Sequence, residues 1–581
     1  MARAILVVRR RADASGRLEA YLDALNRNLA PDNIVPHAPA FVRASGVEAA
    51  IFNPNGATRL EGTSVCIGAL LEEAPLWHAP GARLPDGTYA LLRADANRVE
   101  LAADAAASRT IWYVLTDEEL IASTSQRAIV TLLGSFEMNR EALPWLLSSG
   151  TLGPAAGWDA RLEQVRPGER VTLDRGRWRL SRSGQPPEFR AAADRDEAAH
   201  RARLAEIVEA VCKRLTFDST KWTLPLSGGV DSRALLFHLH KRRGLETITW
   251  GMTGTREQDG NDAQIARTLA DVFGIGNRFF PTDLSSEPRE RLIQRFLTAG
   301  EGRVARISGY LDGFLVWKTL FDEGADGIIR GDEAFGSVLV RNARGVRHTA
   351  SLTLLSDFFS PHELAAFDLP EQHVPLELER KREESLSTWR DRLYQQFRVP
   401  AVLAGLTDLK AAYVEVANPL LARAVLDCVR ELPDGLRTEK RLWRDLVRSW
   451  LPDVPFASRI AVPSLEEVLT DRALLSLMLD EMRGSGASDL FSPALRNKVC
   501  ATINAALLAS RAPRRPSTLK LRLARAIPPR LRAAARTWLS VKPSLDPLAF
   551  AFRSFLASRM NALLKLDAAT PPADMQRAVN L

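Results

Sequence analysis

The chain of 581 residues carries 78 lysines and arginines against 70 aspartates and glutamates, and 46% of it is hydrophobic. This composition is typical of a soluble protein of several domains and excludes disordered and collagen-like chains. No apolar run approaches the roughly 20 residues of a membrane span, and the first residues do not resemble a signal peptide. Because the cysteines and histidines are scattered, we expect reduced thiols, a cytoplasmic protein and no structural zinc site.

Residues up to about 180 are predicted to be rich in β-strands. Short alternating or β-branched segments are separated there by turn residues; the predicted strands are AILVV, TYALLRA, RVELAAD, TIWYVLT and ELIAST. The Pro-rich residues 184–187 are predicted to be a linker. These patterns place a first domain at residues 1–183.

From about residue 194 the pattern changes to strands that alternate with helices, which predicts a parallel α/β sheet. The predicted order is a long helix to Leu215, the strand KWTLPL, a helix RALLFHLHKRR, the strand ETITWGM, a helix DAQIARTLADVFG, the strand NRFFPT, a helix over 314–324 and the buried strand DGIIRG. Beyond about residue 464 the chain is predicted to be mainly helical and Arg-rich. We therefore expect a second domain at 190–465 and a helical, basic extension at 466–581.

The loop SGGVDS at 227–232 joins a predicted strand to a predicted helix. At such a junction, free backbone N–H groups and the positive end of the helix attract an anion, and glycines let the backbone approach a phosphate. Ser227 and Ser232 supply hydroxyl donors, whereas a carboxylate at Asp231 suits a Mg²⁺ ligand. The loop is not a Walker motif, and it resembles the pyrophosphate loop of ATP pyrophosphatases, which cleave ATP to AMP and pyrophosphate.

A second acidic segment follows the apolar strand that ends near Ile329. It reads Arg330-Gly331-Asp332-Glu333. Octahedral Mg²⁺ that bridges two phosphates is commonly held by a second carboxylate. We expect that carboxylate to be Asp332, ahead of Glu333.

Together these motifs make residues 1–465 resemble the asparagine synthetase B-like family. The matching segments are SGGVDS at 227–232, residues 330–337, Lys440 to Arg444, residues 414–421, PDGTYA at 85–90, Asp104 with Arg109, and RPG at 166–168. The resemblance implies a multidomain α/β fold. Its first domain would be a degenerate, glutaminase-like Ntn-hydrolase α/β/β/α sandwich, and its second an ATP pyrophosphatase-type (adenine nucleotide α-hydrolase-like) synthetase domain.

The start of the chain departs from this family. A working glutaminase of the family carries Cys directly after the initiator Met, whereas this chain has Ala2. Cys66 cannot supply an amino-terminal nucleophile, and the segment that would hold glutamine is not recognisable. We therefore expect the first domain to make no ammonia, so that the attacking amine comes from the substrate.

A degenerate glutaminase domain on an adenylating domain is similar to β-lactam synthetases and lasso-peptide cyclases. Resemblance to a β-lactam synthetase would imply a tyrosine near position 338, but this chain has Val338 there. Glu415 remains as a possible catalytic glutamate. We favour a lasso-peptide cyclase. It would adenylate an Asp or Glu side chain of a precursor peptide, and the peptide's α-amine would then close an isopeptide ring.

The resemblance implies ATP and Mg²⁺ as cofactors and assigns roles to particular residues. Lys440 would stabilise negative charge, and Asp231 and Asp332 would hold Mg²⁺. Arg303, Arg306 and Tyr310 are candidates for the substrate wall. The nucleotide-binding residues would be Leu226, Ser227, Gly228, Gly229, Val230, Asp231, Ser232, Trp250, Gly251, Arg330 and Gly331.

Other functions remain open. They are a small-molecule β-lactam synthetase, an ammonia-dependent asparagine synthetase, a tRNA-modifying ATP pyrophosphatase and a noncatalytic binding protein.

The stretch 511–542 contains ten basic residues and no acidic one. It suits a peptide, a leader-binding protein or a leader-processing protease as partner, and we expect no nucleic acid.

Overall fold

The computed structural model describes residues 2–11, 16–155, 157–192, 194–332, 334–336, 338–451, 453–509 and 544–572. The basic stretch 511–542 and Glu333 lie outside the described residues. Among the described residues, no helix is long and apolar enough to cross a membrane.

The first domain consists mainly of strands, as predicted. Its elements are β1 (Arg3–Arg9), α1 (Leu22–Leu29), β2 (Ala40–Ala44), β3 (Val47–Phe52), β4 (Arg59–Glu61), β5 (Ser64–Leu70), β6 (Gly87–Ala94), β7 (Arg98–Ala103), β8 (Trp112–Leu115), β9 (Glu119–Ser123), α2 (Gln126–Leu133), α3 (Ala142–Ser149), β10 (Glu163–Gln164), β11 (Arg170–Asp174) and β12 (Arg179–Ser183). The five strands predicted from the sequence correspond to β1, β6, β7, β8 and β9.

The strands form two antiparallel sheets of six strands each. Their orders are β10-β8-β9-β1-β3-β2 and β12-β11-β7-β6-β5-β4. In β1, Leu6 and Val8 point into the cluster between the sheets, whereas Ile5 and Val7 pack towards α1 and α2. Because both faces of β1 are covered, its sequence is apolar throughout and does not alternate with polar residues.

The outer face of the second sheet differs from the expected sandwich. Cys66, Tyr89 and Leu91 pack there against Trp77 and Leu84 of the loop that follows β5. This cluster contains no helical residue among those described. At this cluster a loop, rather than a helix, therefore covers the outer face of the sheet.

The second domain alternates helices and strands, as predicted. Its elements are α4 (Glu197–Arg214), β13 (Trp222–Pro225), α5 (Val230–Leu239), β14 (Thr247–Gly251), α6 (Asp262–Phe273), β15 (Asn277–Pro281), α7 (Arg289–Gly300), α8 (Leu315–Asp322), β16 (Gly327–Ile329), α9 (Ala343–Ala350), α10 (Pro361–Phe367), α11 (Leu386–Leu393), α12 (Ala404–Ala411), β17 (Glu415–Ala417), α13 (Arg423–Arg430), α14 (Asp434–Arg437) and α15 (Arg441–Trp450). A π-helix, Tyr394–Leu403, joins α11 to α12.

Five of these strands form one parallel sheet, in the order β15-β14-β13-β16-β17. The register aligns Trp222 with Gly327 and Gly327 with Glu415, at the amino ends of β13, β16 and β17. Consequently the loop after β13 and the segment after β16 emerge side by side at the carboxyl edge. Ligands bind at this edge in sheets of this kind.

The C-terminal part is helical, with α16 (Leu465–Val468), α17 (Arg472–Arg483), α18 (Ser485–Leu490), α19 (Pro493–Ala509) and α20 (Pro547–Ala568). One hydrophobic cluster joins Phe550 and Phe555 of α20 to Leu146 of α3 and to Phe296 and Trp317 of the second domain. The last described helix is thus part of the core that the other two domains share.

Candidate active site

The SGGVDS loop connects β13 to α5, and its two serines close it. The Ser227 and Ser232 hydroxyls lie 2.9 Å apart, and the Ser227 N–H donates to Ser232 Oγ at 3.1 Å. A carboxylate that the sequence did not single out also fixes the loop, because the Gly228 N–H donates to Asp262 Oδ1 at 2.8 Å. Burial raises the pKa of Asp262, although this hydrogen bond acts in the opposite direction.

The two glycines of the loop have different roles. A Cβ on Gly228 would lie 2.8 Å from Ile265 and 2.7 Å from Ala457, so close packing requires glycine there. A Cβ on Gly229 would meet only the Ser227 hydroxyl, at 3.1 Å, which leaves the space above the loop open. Gly229 is the N-cap of α5 and offers no side chain to the first-turn N–H groups. These groups can therefore receive a phosphate.

Asp231, in the first turn of α5, contacts two side chains near the start of α15. Its Oδ2 accepts a hydrogen bond from Lys440 Nζ at 2.8 Å, and its Oδ1 accepts one from Trp443 Nε1 at 2.8 Å. Each carboxylate oxygen has a second lone pair, so Asp231 can also bind a cation. The structure thus brings together Asp231 and Lys440, which are far apart in the sequence.

The backbone at Lys440 is unusual. Both Glu439 (φ 57°) and Lys440 (φ 53°) adopt the left-handed conformation, which residues with a Cβ rarely adopt. Two such residues in succession turn the chain sharply into α15, and Lys440 is the N-cap residue of that helix. Conformations of this kind cost about 1–3 kcal/mol each and cluster at functional sites.

The segment 330–332 lies directly against the loop. A Cβ on Gly331 would be 2.9 Å from the carbonyl carbon and the Cβ of Asp231, so only glycine permits this approach. Asp332 follows immediately and forms an ion pair with Arg330 at 3.0 Å. Asp231 and Asp332 therefore lie on adjoining segments. Two carboxylates suit Mg²⁺ that takes its remaining ligands from phosphates and water, and no cluster of three or more metal-ligating side chains occurs in the described residues.

Three of the residues expected to bind the nucleotide, Leu226, Trp250 and Gly251, lie at the neighbouring strand ends. Leu226 is buried, and its carbonyl accepts a hydrogen bond from the Thr249 hydroxyl at 2.8 Å. Trp250 meets Trp317 edge to face, with ring centroids 5.1 Å apart. A Cβ on Gly251 would lie 2.6 Å from Ala461. The segment around Ala457 and Ala461 therefore covers one side of the site.

Arg233 fixes this covering segment to the loop. The residue is fully buried, and its guanidinium donates to the carbonyls of Val454 at 2.5 Å and Pro455 at 2.7 Å. It also stacks over the Phe456 ring at 4.4 Å, and the Ala457 N–H returns a hydrogen bond to the Gly228 carbonyl. Arg233 is thus a positioning residue for the phosphate loop.

Replacing Arg233 with methionine is expected to lower the free energy of unfolding by about 2–4 kcal/mol, because two buried carbonyls lose a charged donor. The covering segment would then separate from the loop, and ATP affinity would fall. Urea unfolding and ATP titration check the two effects. Arg233→Lys is the matched variant and should recover part of the loss. Unchanged stability in Arg233→Met would contradict this assignment.

Glu415 does not lie with these residues. It begins β17 at the amino edge of the parallel sheet, opposite the loop, and is 2% exposed. Its carboxylate faces Arg109 of the first domain at 3.6 Å. The structure therefore does not bring Glu415 together with the phosphate loop, and the residue pairs with the first domain in this structure.

The start of the chain is buried and contains no nucleophile among the described residues there. Ala2 is 2% exposed, and Arg3 donates to the carbonyls of Thr124 and Ala299 at 2.7 and 2.8 Å. Cys66 belongs to the separate cluster on the outer sheet face, where burial raises the pKa of its thiol to about 12. Neither residue offers a thiolate for glutamine hydrolysis.

The sequence-predicted substrate wall is only partly supported. Arg303 is buried in an ion pair with Asp408 and donates to the Thr110 hydroxyl at 2.6 Å. Tyr310 is buried and packs against Phe314. Only Arg306 is exposed, and it faces a cavity that is described below.

A buried lysine that the sequence analysis missed lies near this site. Lys410 is 4% exposed, and its Nζ donates to the Leu406 carbonyl at 2.8 Å. The ammonium also lies 5.7 Å from the ring centre of Tyr310 and 5.9 Å from that of Trp317. Its place in the sequence, between Leu409 and a run of apolar residues, was the one available signal that it is buried.

Burial, together with the charge of Arg330, holds the pKa of Lys410 well below its ordinary value, although the carboxylates of Asp332 and Asp408 act in the opposite direction. Lys410→Met is therefore expected to raise the free energy of unfolding by about 1–3 kcal/mol at pH 7. Urea unfolding measures this change. The exposed Lys241→Met is the control, and destabilisation by Lys410→Met would contradict the expectation.

The same lysine gives the stability a pH dependence of known sign. Between its lowered pKa and about 10.4, the folded protein binds fewer protons at Lys410 than the unfolded chain does. The Lys410 contribution to the free energy of unfolding therefore rises with pH over this range. Lys410→Met removes this contribution. The difference in free energy of unfolding between the variant and the wild type is therefore expected to be smaller at pH 9.5 than at pH 7.

The chain was compared with solved structures, with curated proteins and with protein-family models. Two solved structures are similar to part of the chain. One is glutamine phosphoribosylpyrophosphate amidotransferase from B. subtilis complexed with ADP and GMP, at 8% identity over 50% of this chain and 92% of that one, with a TM-score of 0.20. The other is described as the allosteric regulatory enzyme of purine biosynthesis, at 9% identity over 48% of this chain and 80% of that one, with a TM-score of 0.20.

Likenesses with such TM-scores carry no argument here, and the comparison with curated proteins gives no match. In contrast, the family model for asparagine synthase matches residues 204–459. This range includes the SGGVDS loop, Asp332 and Lys440. The part of the chain that holds the candidate site is therefore similar to asparagine synthase.

Proposed function

We propose that this protein closes a macrolactam in a ribosomally made peptide, using ATP and releasing AMP and pyrophosphate. The asparagine synthase match supports an ATP-dependent ligase reaction in general. The observation that carries the proposal is the contact between Asp231 and Lys440 at the open N-terminus of α5. This contact supports the proposal because a carboxylate and an ammonium lie beside a helix N-terminus that would suit the phosphates of ATP.

In the first step, an Asp or Glu side chain of the peptide attacks the α-phosphorus of ATP. The new bond joins the carboxylate oxygen to phosphorus, and the bond to the bridging oxygen breaks, so pyrophosphate leaves. The first-turn N–H groups of α5 and the Lys440 ammonium stabilise the charge on the phosphates. Asp231 and Asp332 would hold Mg²⁺, which neutralises phosphate charge when bound.

In the second step, the α-amine of the same peptide attacks the acyl carbon. A C–N bond forms, the bond to the AMP oxygen breaks, and the amine loses a proton. The burial of Ala2 and the raised pKa of Cys66 support an amine that is part of the substrate rather than ammonia from glutamine. The covering segment held by Arg233 helps to exclude water, which would otherwise hydrolyse the adenylate.

The test uses the full chain, ATP, Mg²⁺ and, as substrate, any short precursor peptide that the neighbouring genes are found to encode. The expected result is pyrophosphate release together with a product that has lost one water and resists aminopeptidase. Asparagine formed from aspartate and ammonia without any peptide would contradict the proposal. A cyclised small molecule would favour a β-lactam synthetase.

A further inference from the structure

A cavity of about 670 Å³, with both polar and apolar walls, lies outside the candidate site. Its walls come from the end of α3, from α9, from α11 and the π-helix that follows it, and from the start of α20. Gly336 and Val338, which follow Asp332 closely along the chain, form part of the lining. The cavity therefore opens where the first domain, the second domain and the C-terminal helices meet, and the chain runs from Asp332 into its wall.

The lining of this cavity is strongly cationic. Its basic members are Arg306, His348, Arg390, Arg398 and Arg553, and among the described lining residues Asp546 is the one carboxylate. The Oδ1 atom of Asp546 already accepts a hydrogen bond from the Leu548 N–H at 2.9 Å, where it caps α20. Arg390 forms an ion pair with Asp391 at 2.8 Å. The three other lining arginines face one carboxylate, Asp546, among the described lining residues.

Two of these arginines form no close ion pair with a described carboxylate, although Asp546 lies near enough to Arg553 to raise its pKa slightly against the other effects. Arg306 forms no hydrogen bond or ion pair with any of them, and its side chain is exposed to the cavity. Arg553 donates to the carbonyls of Leu147 and Ser148 at 2.8 and 2.9 Å, and its Nε is buried without a partner. An unpaired charge in a partly desolvated wall is costly unless a ligand supplies the opposite charge.

The charges also lie close enough to repel one another. Although the Arg306 side chain is open to the cavity, the protein surrounds it closely enough for desolvation, with a contribution from Arg398, to lower its pKa to about 10. Burial, with a contribution from Arg306, lowers the pKa of Arg553 to about 10. At neutral pH both guanidiniums remain charged, so the wall stays positive and favours an anion.

We infer that this cavity binds a carboxylate-bearing segment of the peptide substrate, distinct from the carboxylate that is adenylated. The inference rests on the proposed peptide substrate and adds where the rest of the peptide lies. Guanidinium groups bind carboxylates in bidentate geometry, and a volume of this size accommodates several residues. The phosphates of ATP are not the expected occupant, because the N-terminus of α5 receives them.

The experiment measures binding of a fluorescent, N-acetylated hexaglutamate peptide to the full chain by anisotropy at low ionic strength. A hexaglutamine peptide is the neutral probe. Arg306→Gln is expected to weaken hexaglutamate binding at least about tenfold, the loss typical of one charged hydrogen-bond donor. Arg243→Gln changes the same charge at an exposed arginine outside the cavity and should leave binding unchanged.

Further arms separate the cavity from the adenylation site. Asp231→Asn should abolish ATP use and leave hexaglutamate binding intact. ATP use therefore tests the proposed reaction, and hexaglutamate binding tests the cavity separately. Equal binding of hexaglutamine, or equal loss in both arginine variants, would overturn the inference. Displacement of hexaglutamate by ATP or pyrophosphate would also overturn it, because the cavity would then take phosphates.

Discussion

Replacing Asp231 with asparagine is expected to slow ATP-dependent pyrophosphate release at least about a thousandfold. Asparagine keeps the shape of the side chain and one acceptor oxygen, so Trp443 or Lys440 retains a partner. The negative charge that orients the Lys440 ammonium, and that would hold Mg²⁺, is lost. Steady-state pyrophosphate release by the full chain, with ATP, Mg²⁺ and the peptide, measures the effect.

The matched control for this prediction is Asp271→Asn, which removes the same charge from an exposed position in α6, two residues before that helix ends. This control should release pyrophosphate at the wild-type rate. Thermal unfolding of both variants should stay close to that of the wild type, which separates lost chemistry from lost structure. A wild-type rate for Asp231→Asn would remove Asp231 from the mechanism.

The fold could largely be predicted from periodicity and turn residues. The alternation of strands and helices after residue 194 correctly indicates the parallel sheet, and the bounds of β14 and α6 differ little from the expected ones. One difference concerns the loop itself, because α5 already begins at Val230 and includes Asp231. The helix starts early since Gly229 is its N-cap, and this shift places Asp231 in the first turn.

The site could be predicted only where a local motif carries it. The loop and the segment at Gly331 are short patterns, and the structure brings them together as expected. No local motif predicts the position of Glu415. Its position depends on the edge of the sheet at which its strand begins. Arg233 and Lys410 depend on tertiary packing. Nothing near Arg233 in the sequence indicates that it fixes a covering segment, and the apolar neighbours of Lys410 are the single local sign that this cation is buried.

The same limitation applies to the C-terminal helix α20, which the sequence presents as part of an extension. In the structure it packs on α2 and α3 of the first domain and completes a shared core. Its Arg553 reaches the cationic cavity, and its Asp567 reaches the first domain. The helix therefore connects the degenerate first domain to the wall of the proposed peptide site.

Breaking the ion pair between Arg127 of α2 and Asp567 of α20 is expected to have the largest effect on stability. Nε and Nη2 of Arg127 donate to the two carboxylate oxygens at 2.7 and 2.8 Å, and the side chains are only 3% and 4% exposed. Asp567→Ala leaves a buried guanidinium with the Asn28 carbonyl as its remaining acceptor. We expect a loss of about 3–5 kcal/mol in the free energy of unfolding.

Hydrogen exchange measured by mass spectrometry localises this effect, because peptides from residues 547–568 should exchange faster in Asp567→Ala while the parallel sheet stays protected. The double variant Arg127→Met with Asp567→Leu is the matched control, since it removes both charges and keeps apolar volume. It should recover most of the lost stability, because the cost lies in the unpaired charge rather than in the missing attraction. Equal destabilisation by the single and double variants would show that the pair itself holds α20 on the first domain.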